Sequence, residues 1–97
     1  MSTVIWTKSA LDDLAGIRDF IARDSIYYAE KFIDDAFKAT EQLEIFPEIG
    51  RIVPERNDPD FREIIFGSYR IIYKIINGIV YIITMIHGMR IYDPESI

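Results

Sequence analysis

The chain has 97 residues, a net charge of −5 and no cysteine. This length suits one hydrophobic core rather than two, so we expect residues 1–97 to form a single domain. Without cysteine, disulfides, thiolate metal ligands and a cysteine nucleophile are excluded. No apolar run reaches the length of a membrane span, and no basic leader precedes an apolar stretch. We therefore expect a cytoplasmic protein with no membrane partner.

The negative charge lies in the first half of the chain. Residues 1–50 contain ten acidic and five basic residues, whereas residues 51–97 contain six of each and five of the seven arginines. Phosphate contacts dominate affinity for nucleic acids, so an acidic protein is a poor general binder of them. An arginine-bearing face in the second half could still act on RNA if another contact supplied the docking.

The first half predicts a short strand and two helices. The apolar run at residues 4–6 is typical of a strand. Thr7 or Ser9 can cap a first helix and Ser25 a second one, which should end before Pro47. Apolar residues recur at helical spacing in both segments. Because their connection is short, the two helices should form an antiparallel hairpin.

The second half predicts a loop followed by three strands. Prolines and glycines interrupt residues 47–60, and the strands follow between residues 61 and 90. Asn77-Gly78 is a strong hairpin signal, and Gly67-Ser68 is a weaker one. The predicted fold class is therefore α+β, in the order β-α-α-β-β-β. An N-terminal helical hairpin packs on one face of an antiparallel sheet.

The turn at Asn77-Gly78 places Ile76 opposite Ile79 and predicts which residues share a face. Arg70 then lies opposite Met85, with His87 as its diagonal neighbour. The helix-free face, which we expect to be uncovered, has a mixed composition. Its predicted residues are Glu63, Ile65, Arg70, Ile72, Lys74, Tyr81, Ile83, Met85 and His87.

Arg70 and His87 are the candidate chemical groups on this face. A strand arginine is most often solvated or paired, here with Glu63, but it can also hold a phosphate or a partner's carboxylate in fork geometry. His87 could act as a general acid, although a lone histidine is more often structural. Glu55 lies on the loop, and Arg90 follows the last strand. Both are ordinary surface charges unless they lie close to Arg70 and His87.

The apolar residues of the helix-free face suggest a protein partner. Ile65, Ile72, Ile83 and Met85 are too apolar to be left in water, so a partner segment should cover them. Tyr81 faces the same side and could stack on a base. We find no ligand spacing for a metal and no cofactor motif.

An ordered set of short motifs resembles the RelE/ParE superfamily of toxins from bacterial type II toxin–antitoxin systems. The resemblance covers nearly the whole chain, and each motif is weak without the others. The matching segments are residues 10–14 (ALDDL), 46–51 (FPEIGR), 53–55 (VPE), 62–63 (RE), 69–73 (YRIIY) and 87–90 (HGMR).

This resemblance implies a cognate antitoxin, a toxin–antitoxin hetero-oligomer and one of two targets. ParE-like members inhibit DNA gyrase, and RelE-like members cut messenger RNA on the ribosome. Arg70 matches the family's phosphate-holding arginine and Arg90 its basic residue after the last strand. Glu55 and His87 could match the base and acid of some ribonuclease members. The lysine pair of RelE is missing, with only Arg62 near its place.

Because of that departure and the acidic composition, we interpret the chain as ParE-like, with gyrase as the target and no enzymatic activity. The alternative is a RelE-like ribosome-dependent endoribonuclease. A further alternative is a non-toxic relative that only forms complexes. The resemblance does not separate the three.

Overall fold

The computed structural model describes residues 2–93 and confirms the predicted α+β fold. The remaining positions of the expected domain, 1 and 94–97, lie outside the described residues. Two helices pack on a five-stranded sheet. The elements are β1 (Thr3–Trp6), α1 (Lys8–Ala22), α2 (Ile26–Glu41), β2 (Arg51–Ile52), β3 (Phe61–Phe66), β4 (Tyr69–Ile76) and β5 (Ile79–His87), with a 3₁₀ turn at Gln42–Glu44 after α2.

Both helices begin where a hydroxyl side chain can replace a missing backbone partner. Thr7 has extended backbone angles, and its side chain accepts a hydrogen bond from the Ala10 amide at 3.2 Å. Ser25 does the same for the Tyr28 amide. Such caps satisfy donors that the first helical turn leaves free. The cap of α1 is therefore Thr7 rather than Ser9.

The sheet differs from the prediction in two ways. The strand order is β1-β5-β4-β3-β2, and β1 runs parallel to β5, so the sheet is mixed rather than purely antiparallel. The two-residue strand β2 pairs with β3 at Arg51 and Ile52. It was not predicted because two residues in a segment rich in proline and glycine carry no alternation pattern.

A β-bulge in β5 changes the predicted register. Both hairpin turns are as predicted, since Ile76 pairs with Ile79 and Ile65 with Arg70. However, Tyr73 pairs with Ile82 while the preceding residue of β4 pairs with Thr84, so one residue of β5 is left without a partner. From that point the predicted pairing is wrong by one position.

Because of this shift, Met85 and His87, which were predicted to lie on the helix-free face, lie on the other face of the sheet. Met85 pairs with Ile71, and both lie in the core under the helices. His87 pairs with Tyr69, and Ile86 takes the place opposite Arg70. A one-residue slip reverses the face of every later side chain, which explains both errors.

The sheet has a core on each face. Under the helices, buried side chains of α1 and α2 pack against strands β4 and β5, with Leu14 and Ala36 on the helical side. On the helix-free face a smaller cluster consists of Val53, Phe61, Ile72 and Tyr92. The loop after β2 and the segment after β5 therefore cover part of the face that was expected to be uncovered.

The loop after α2 is fixed to the sheet by one buried hydroxyl. Tyr73 is fully buried; its hydroxyl donates to the Pro47 carbonyl at 2.8 Å and accepts from the Gly50 amide at 3.0 Å. A side chain at position 50 would not fit, because a Cβ atom would lie 2.5 Å from the Glu63 carbonyl oxygen. At the sheet margin, the Arg62 guanidinium donates to three carbonyls of the flanking loops.

We predict that Tyr73→Phe lowers the free energy of unfolding by about 1–2 kcal/mol, because it leaves the Gly50 amide and the Pro47 carbonyl without this partner. Urea denaturation measures the change. The matched control, Tyr27→Phe on the surface of α2, should alter stability by less than about 0.5 kcal/mol. Equal effects of the two substitutions would show that the Tyr73 hydroxyl does not anchor the loop.

Candidate functional site

Arg70, the main candidate in the sequence, is a buried and fully paired side chain. It is 4% exposed. Its Nε donates to Glu63 at 2.8 Å, and its two terminal nitrogens donate to the two carboxylate oxygens of Glu55 at 2.8 and 2.7 Å. The Arg90 carbonyl accepts a further hydrogen bond at 2.9 Å, and Nη2 also lies 2.5 Å from Glu63. Four of the five N–H groups of the guanidinium therefore donate hydrogen bonds, and Nη2 also forms a close ion pair with Glu63.

Glu55 is brought to Arg70 by the turn that follows β2. The Arg56 and Asn57 amides both donate to the Val53 carbonyl, and Asn57 has a positive φ of 52°. This turn lays the Glu55 carboxylate along the guanidinium, where it also accepts from the Tyr92 amide at 2.9 Å. The hydrogen bonds from Arg70, the largest cause, lower the pKa of Glu55 from 4.5 to about 2. At neutral pH this carboxylate is therefore a weak base.

Glu63 adds a second carboxylate, and Arg51 adds a second cation. The Glu63 side chain is fully buried; one of its oxygens faces Arg70, and the other accepts a hydrogen bond from Arg51. The pairing of Arg70 with Glu63, which sequence reasoning offered as the structural alternative, is therefore observed. The buried members, Arg70 and Glu63, cancel in charge, as burial of ionised groups requires. Glu55 and the mostly exposed Arg51 add a second pair of opposite charges at the surface. The paired carboxylates raise the pKa of Arg70, Glu55 most of all, so it stays charged.

His87 takes no part in the ion pairs of this cluster. Its ring packs edge-on against Tyr69, with the ring centroids 5.7 Å apart, and Nδ1 accepts a hydrogen bond from the Met89 amide. The prediction that Arg70 and His87 share a sheet face is wrong, because the bulge turns His87 to the face that carries Tyr69. Both residues nevertheless line one surface cavity at this end of the sheet. Arg90 joins the cluster only through its carbonyl, and its side chain is exposed.

The predicted apolar patch is only partly exposed. Ile72 is fully buried under the loop after β2, and Met85 lies in the core beneath the helices, so neither can form part of an exposed surface. Ile65 is 62% exposed, while Tyr81 and Ile83 are half-buried. These three remain as candidate contact residues.

Sequence reasoning missed the roles of Arg51 and Tyr92. Tyr92 is 3% exposed and stacks on Phe61, with the ring centroids 6.5 Å apart. An isolated aromatic residue after the last strand gives no sign that it folds back on the sheet. Among residues 2–93, no group of three or more metal-ligating side chains is close enough to hold an ion. No helix in this range is long and apolar enough to cross a membrane.

Comparison with known proteins identifies relatives over nearly the whole chain. The sequence profile of the ParE toxin family, described as the ParE toxin of the type II toxin–antitoxin system parDE, matches residues 4–92. Toxin RelE2 of Caulobacter vibrioides is 33% identical over 92 residues, which cover 94% of this chain and 100% of that protein.

Two solved structures share the fold. The chromosomal ParDE system from P. aeruginosa aligns with a TM-score of 0.74 at 19% identity, over 90% of this chain and 96% of that one. The toxin–antitoxin complex RelBE2 from Mycobacterium tuberculosis aligns with a TM-score of 0.54 at 20% identity, over 89% and 96%. At these identities the alignments show similarity of fold.

The lowered pKa of Glu55 predicts how stability depends on pH. Because the pKa in the folded state is about 2 and the ordinary value is 4.5, ionised Glu55 stabilises the fold above about pH 4.5. This contribution, on the order of 2 kcal/mol, is lost as the pH falls toward 2. Urea unfolding of the parent chain and of Glu55→Gln between pH 7 and pH 2 measures it.

The difference in unfolding free energy between the two proteins should be constant at higher pH and shrink between pH 4.5 and pH 2. Asp35→Asn is a suitable control, because its carboxylate pairs on the surface of α2 with Lys31. Exposed pairs of this kind contribute little to stability. A constant difference across the whole range would contradict the pairing of Glu55 with Arg70.

Proposed function

The chain belongs to the ParE toxin family of type II toxin–antitoxin systems, and from this premise we propose that it arrests growth by binding DNA gyrase. In this proposal residues 1–97 are one toxin domain that acts in the cytoplasm, and a cognate antitoxin neutralises it in a hetero-oligomeric complex. The toxin acts by binding and catalyses no reaction.

The state of Arg70 is the observation that carries this proposal. In RNA cleavage, negative charge grows on the phosphoryl oxygens, and a useful arginine must have N–H groups free to meet it. Four of the five N–H groups of Arg70 already donate to Glu55, Glu63 or the Arg90 carbonyl, and Nη2 also forms an ion pair with Glu63. A phosphate would have to displace a carboxylate from a side chain that is only 4% exposed.

The environments of the candidate base and acid also favour a binding function. A general base acts best with a pKa near the operating pH, whereas that of Glu55 is about 2. His87 lines the same cavity as Arg70 but packs on Tyr69 and lies on the other face of the sheet. The similarity to Toxin RelE2 keeps messenger RNA cleavage on the ribosome as the alternative. Its catalytic set would be Arg70, Arg90, Glu55 and His87.

For the antitoxin we propose the part of the helix-free face that the chain's own loops leave uncovered. Half-buried Tyr81 and Ile83 of β5 lie in this region, and Ile76 at the end of β4 is 42% exposed. Lys74, opposite Tyr81, provides a cation with no ion pair among the described residues. An amphipathic antitoxin segment with acidic residues beside its apolar ones would fit this surface. Ile65 lies at the other end of the face.

We predict that His87→Gln keeps growth arrest, because a binding toxin needs no proton from this side chain. Induction in cells measures growth, primer extension measures transcript integrity, and topoisomer analysis of a plasmid measures gyrase activity. Transcripts should remain whole and plasmid supercoiling should fall. The control Arg70→Ala should lose toxicity, since it removes the buried cation that pairs with both Glu55 and Glu63.

Cleavage of translated messages at codon spacing, lost in His87→Gln, would establish the RelE-like alternative. Arrest with intact transcripts and normal supercoiling would exclude both targets. A chain that causes no arrest, but is soluble and binds the antitoxin, would be a complex-forming relative.

We predict that Ile83→Asp weakens antitoxin binding by about tenfold or more, because it places a charge on the proposed contact surface. Co-expression and pull-down with the antitoxin at low concentration measure the affinity. Ile26→Asp is the control, since Ile26 is 68% exposed on the helical hairpin, away from the sheet face. Loss of binding with Ile26→Asp and retention with Ile83→Asp would place the antitoxin on the helices instead.

A further inference from the structure

The bulge in β5 lies where β1 leaves the sheet. Strand β1 pairs with β5 from Ile79 to Ile82, and within residues 2–93 the pairing of these two strands ends there. The next residue, Ile83, is the one that the ladder between β4 and β5 leaves without a partner. An extra residue of this kind leaves backbone polar groups that a regular ladder would satisfy, so they need other partners.

The side-chain pattern of β5 does not by itself decide between the bulged pairing and a straight one. Residues 82–86 are all apolar apart from Thr84. In a straight ladder Ile86 would lie on the helix side of the sheet, whereas in the bulged ladder Met85 lies there. Both are large apolar side chains, so each register buries a similar apolar group. An additional interaction is therefore needed to specify the bulge.

Asp13 of α1 binds β5 directly after the extra residue. One oxygen of its half-buried carboxylate accepts hydrogen bonds from the Thr84 hydroxyl at 2.5 Å and from the Met85 amide at 3.3 Å. Hydrogen bonds to an ionised acceptor are stronger than those between neutral groups, and Thr84 is only 8% exposed. Asp13 belongs to the motif at residues 10–14 and is separate from the ion pairs of Arg70.

Thr7 binds β5 directly before the extra residue. Its hydroxyl donates to the Ile82 carbonyl at 2.7 Å and lies 3.3 Å from the Ile83 carbonyl oxygen. The same hydroxyl caps α1 by accepting from the Ala10 amide. Thr7 and Asp13 therefore connect the first two turns of α1 to both sides of the bulge.

From these contacts we propose that Asp13 is a positioning residue that, together with Thr7, fixes the register of the second half of β5. By binding the bulged backbone it determines the face on which Met85 and His87 lie. Without the carboxylate, the polar groups after the extra residue lose their partner. The straight ladder, in which Met85 pairs with Arg70, then competes with the bulged one.

The register bears on function because it determines which face of the sheet carries His87. In the bulged register the His87 ring packs against Tyr69 on the helix side. In the straight register His87 would share the helix-free face with Arg70, which is the arrangement expected of the RelE-like alternative. Asp13 therefore keeps this histidine off the face that carries the arginine. This inference concerns the isolated chain and does not depend on its target.

NMR of folded Asp13→Ala tests the proposal, because cross-strand nuclear Overhauser effects report the pairing directly. In the bulged register Ile71 pairs with Met85, and in the straight one it would pair with Thr84. Loss of a hydrogen bond to a charged group shifts an equilibrium by about tenfold or more. The population of the straight register, measured by chemical exchange saturation transfer, should therefore rise at least about tenfold over the parent chain. Retention of the bulged pairing alone would overturn the proposal.

Two variants separate the role of Asp13 from general effects on α1. Asp12→Ala removes the neighbouring carboxylate, which is 65% exposed and pairs with Lys8, so it should leave the register unchanged. Asp13→Asn keeps an oxygen that can accept from Thr84 and Met85, so it should retain the bulged register better than Asp13→Ala. A shift with Asp12→Ala as large as that with Asp13→Ala would contradict a specific role for Asp13.

Thr84→Val provides a test that does not depend on the folding of Asp13→Ala. Valine keeps the shape of threonine but lacks the hydroxyl that donates to Asp13, while the Met85 amide can still bind the carboxylate. The population of the straight register should rise by about three- to tenfold, and the contact between the His87 and Tyr69 rings should weaken in proportion. A merely structural role would lower stability without moving His87. A single bulged register with an unchanged ring contact would overturn the proposal.

Discussion

The guanidinium of Arg70 holds together the side of the sheet that the helices do not cover. It connects β4 to β3 through Glu63, to the turn after β2 through Glu55, and to the segment after β5 through the Arg90 carbonyl. Burying these charges is costly. The arrangement is stable because Arg70 donates four hydrogen bonds and because Arg51 balances the charge of the second carboxylate. Removal of one partner would leave an uncompensated buried charge, a change that typically costs about 3–5 kcal/mol.

The same cluster is the reason for proposing a binding function rather than a catalytic one. An arginine at this position can serve a phosphate only if its N–H groups are free, and here Glu55 and Glu63 occupy them. The carboxylate that would act as base is instead a permanent ligand of the cation, and its low pKa is a consequence of that contact. The chain is similar both to toxins named ParE and to toxins named RelE, so the proposed binding mode of action rests on the state of this arginine.

Local signals in the sequence were enough to predict the helical caps, the two hairpin turns and the layered fold. Thr7, Ser25 and Asn77-Gly78 each act through their immediate neighbours, so their effect can be read without the rest of the chain. The bulge in β5 could not be predicted, because Ile83 is one more apolar residue in an apolar strand. That single residue moved Met85 into the core and His87 to the sheet face opposite the one that carries Arg70. The return of Tyr92 to the sheet depends on long-range packing that no local pattern encodes.

The most direct test of this account is the NMR signal of the Arg70 Nε–H group. If Arg70 is a structural cation closed off by two carboxylates, this proton should exchange slowly with water and its chemical shift should not move when inorganic phosphate is added. Glu55→Gln should accelerate the exchange, since it removes the bidentate partner. A rapidly exchanging Nε–H, or a shift that saturates with phosphate, would contradict the account and show that Arg70 is available to an RNA phosphate.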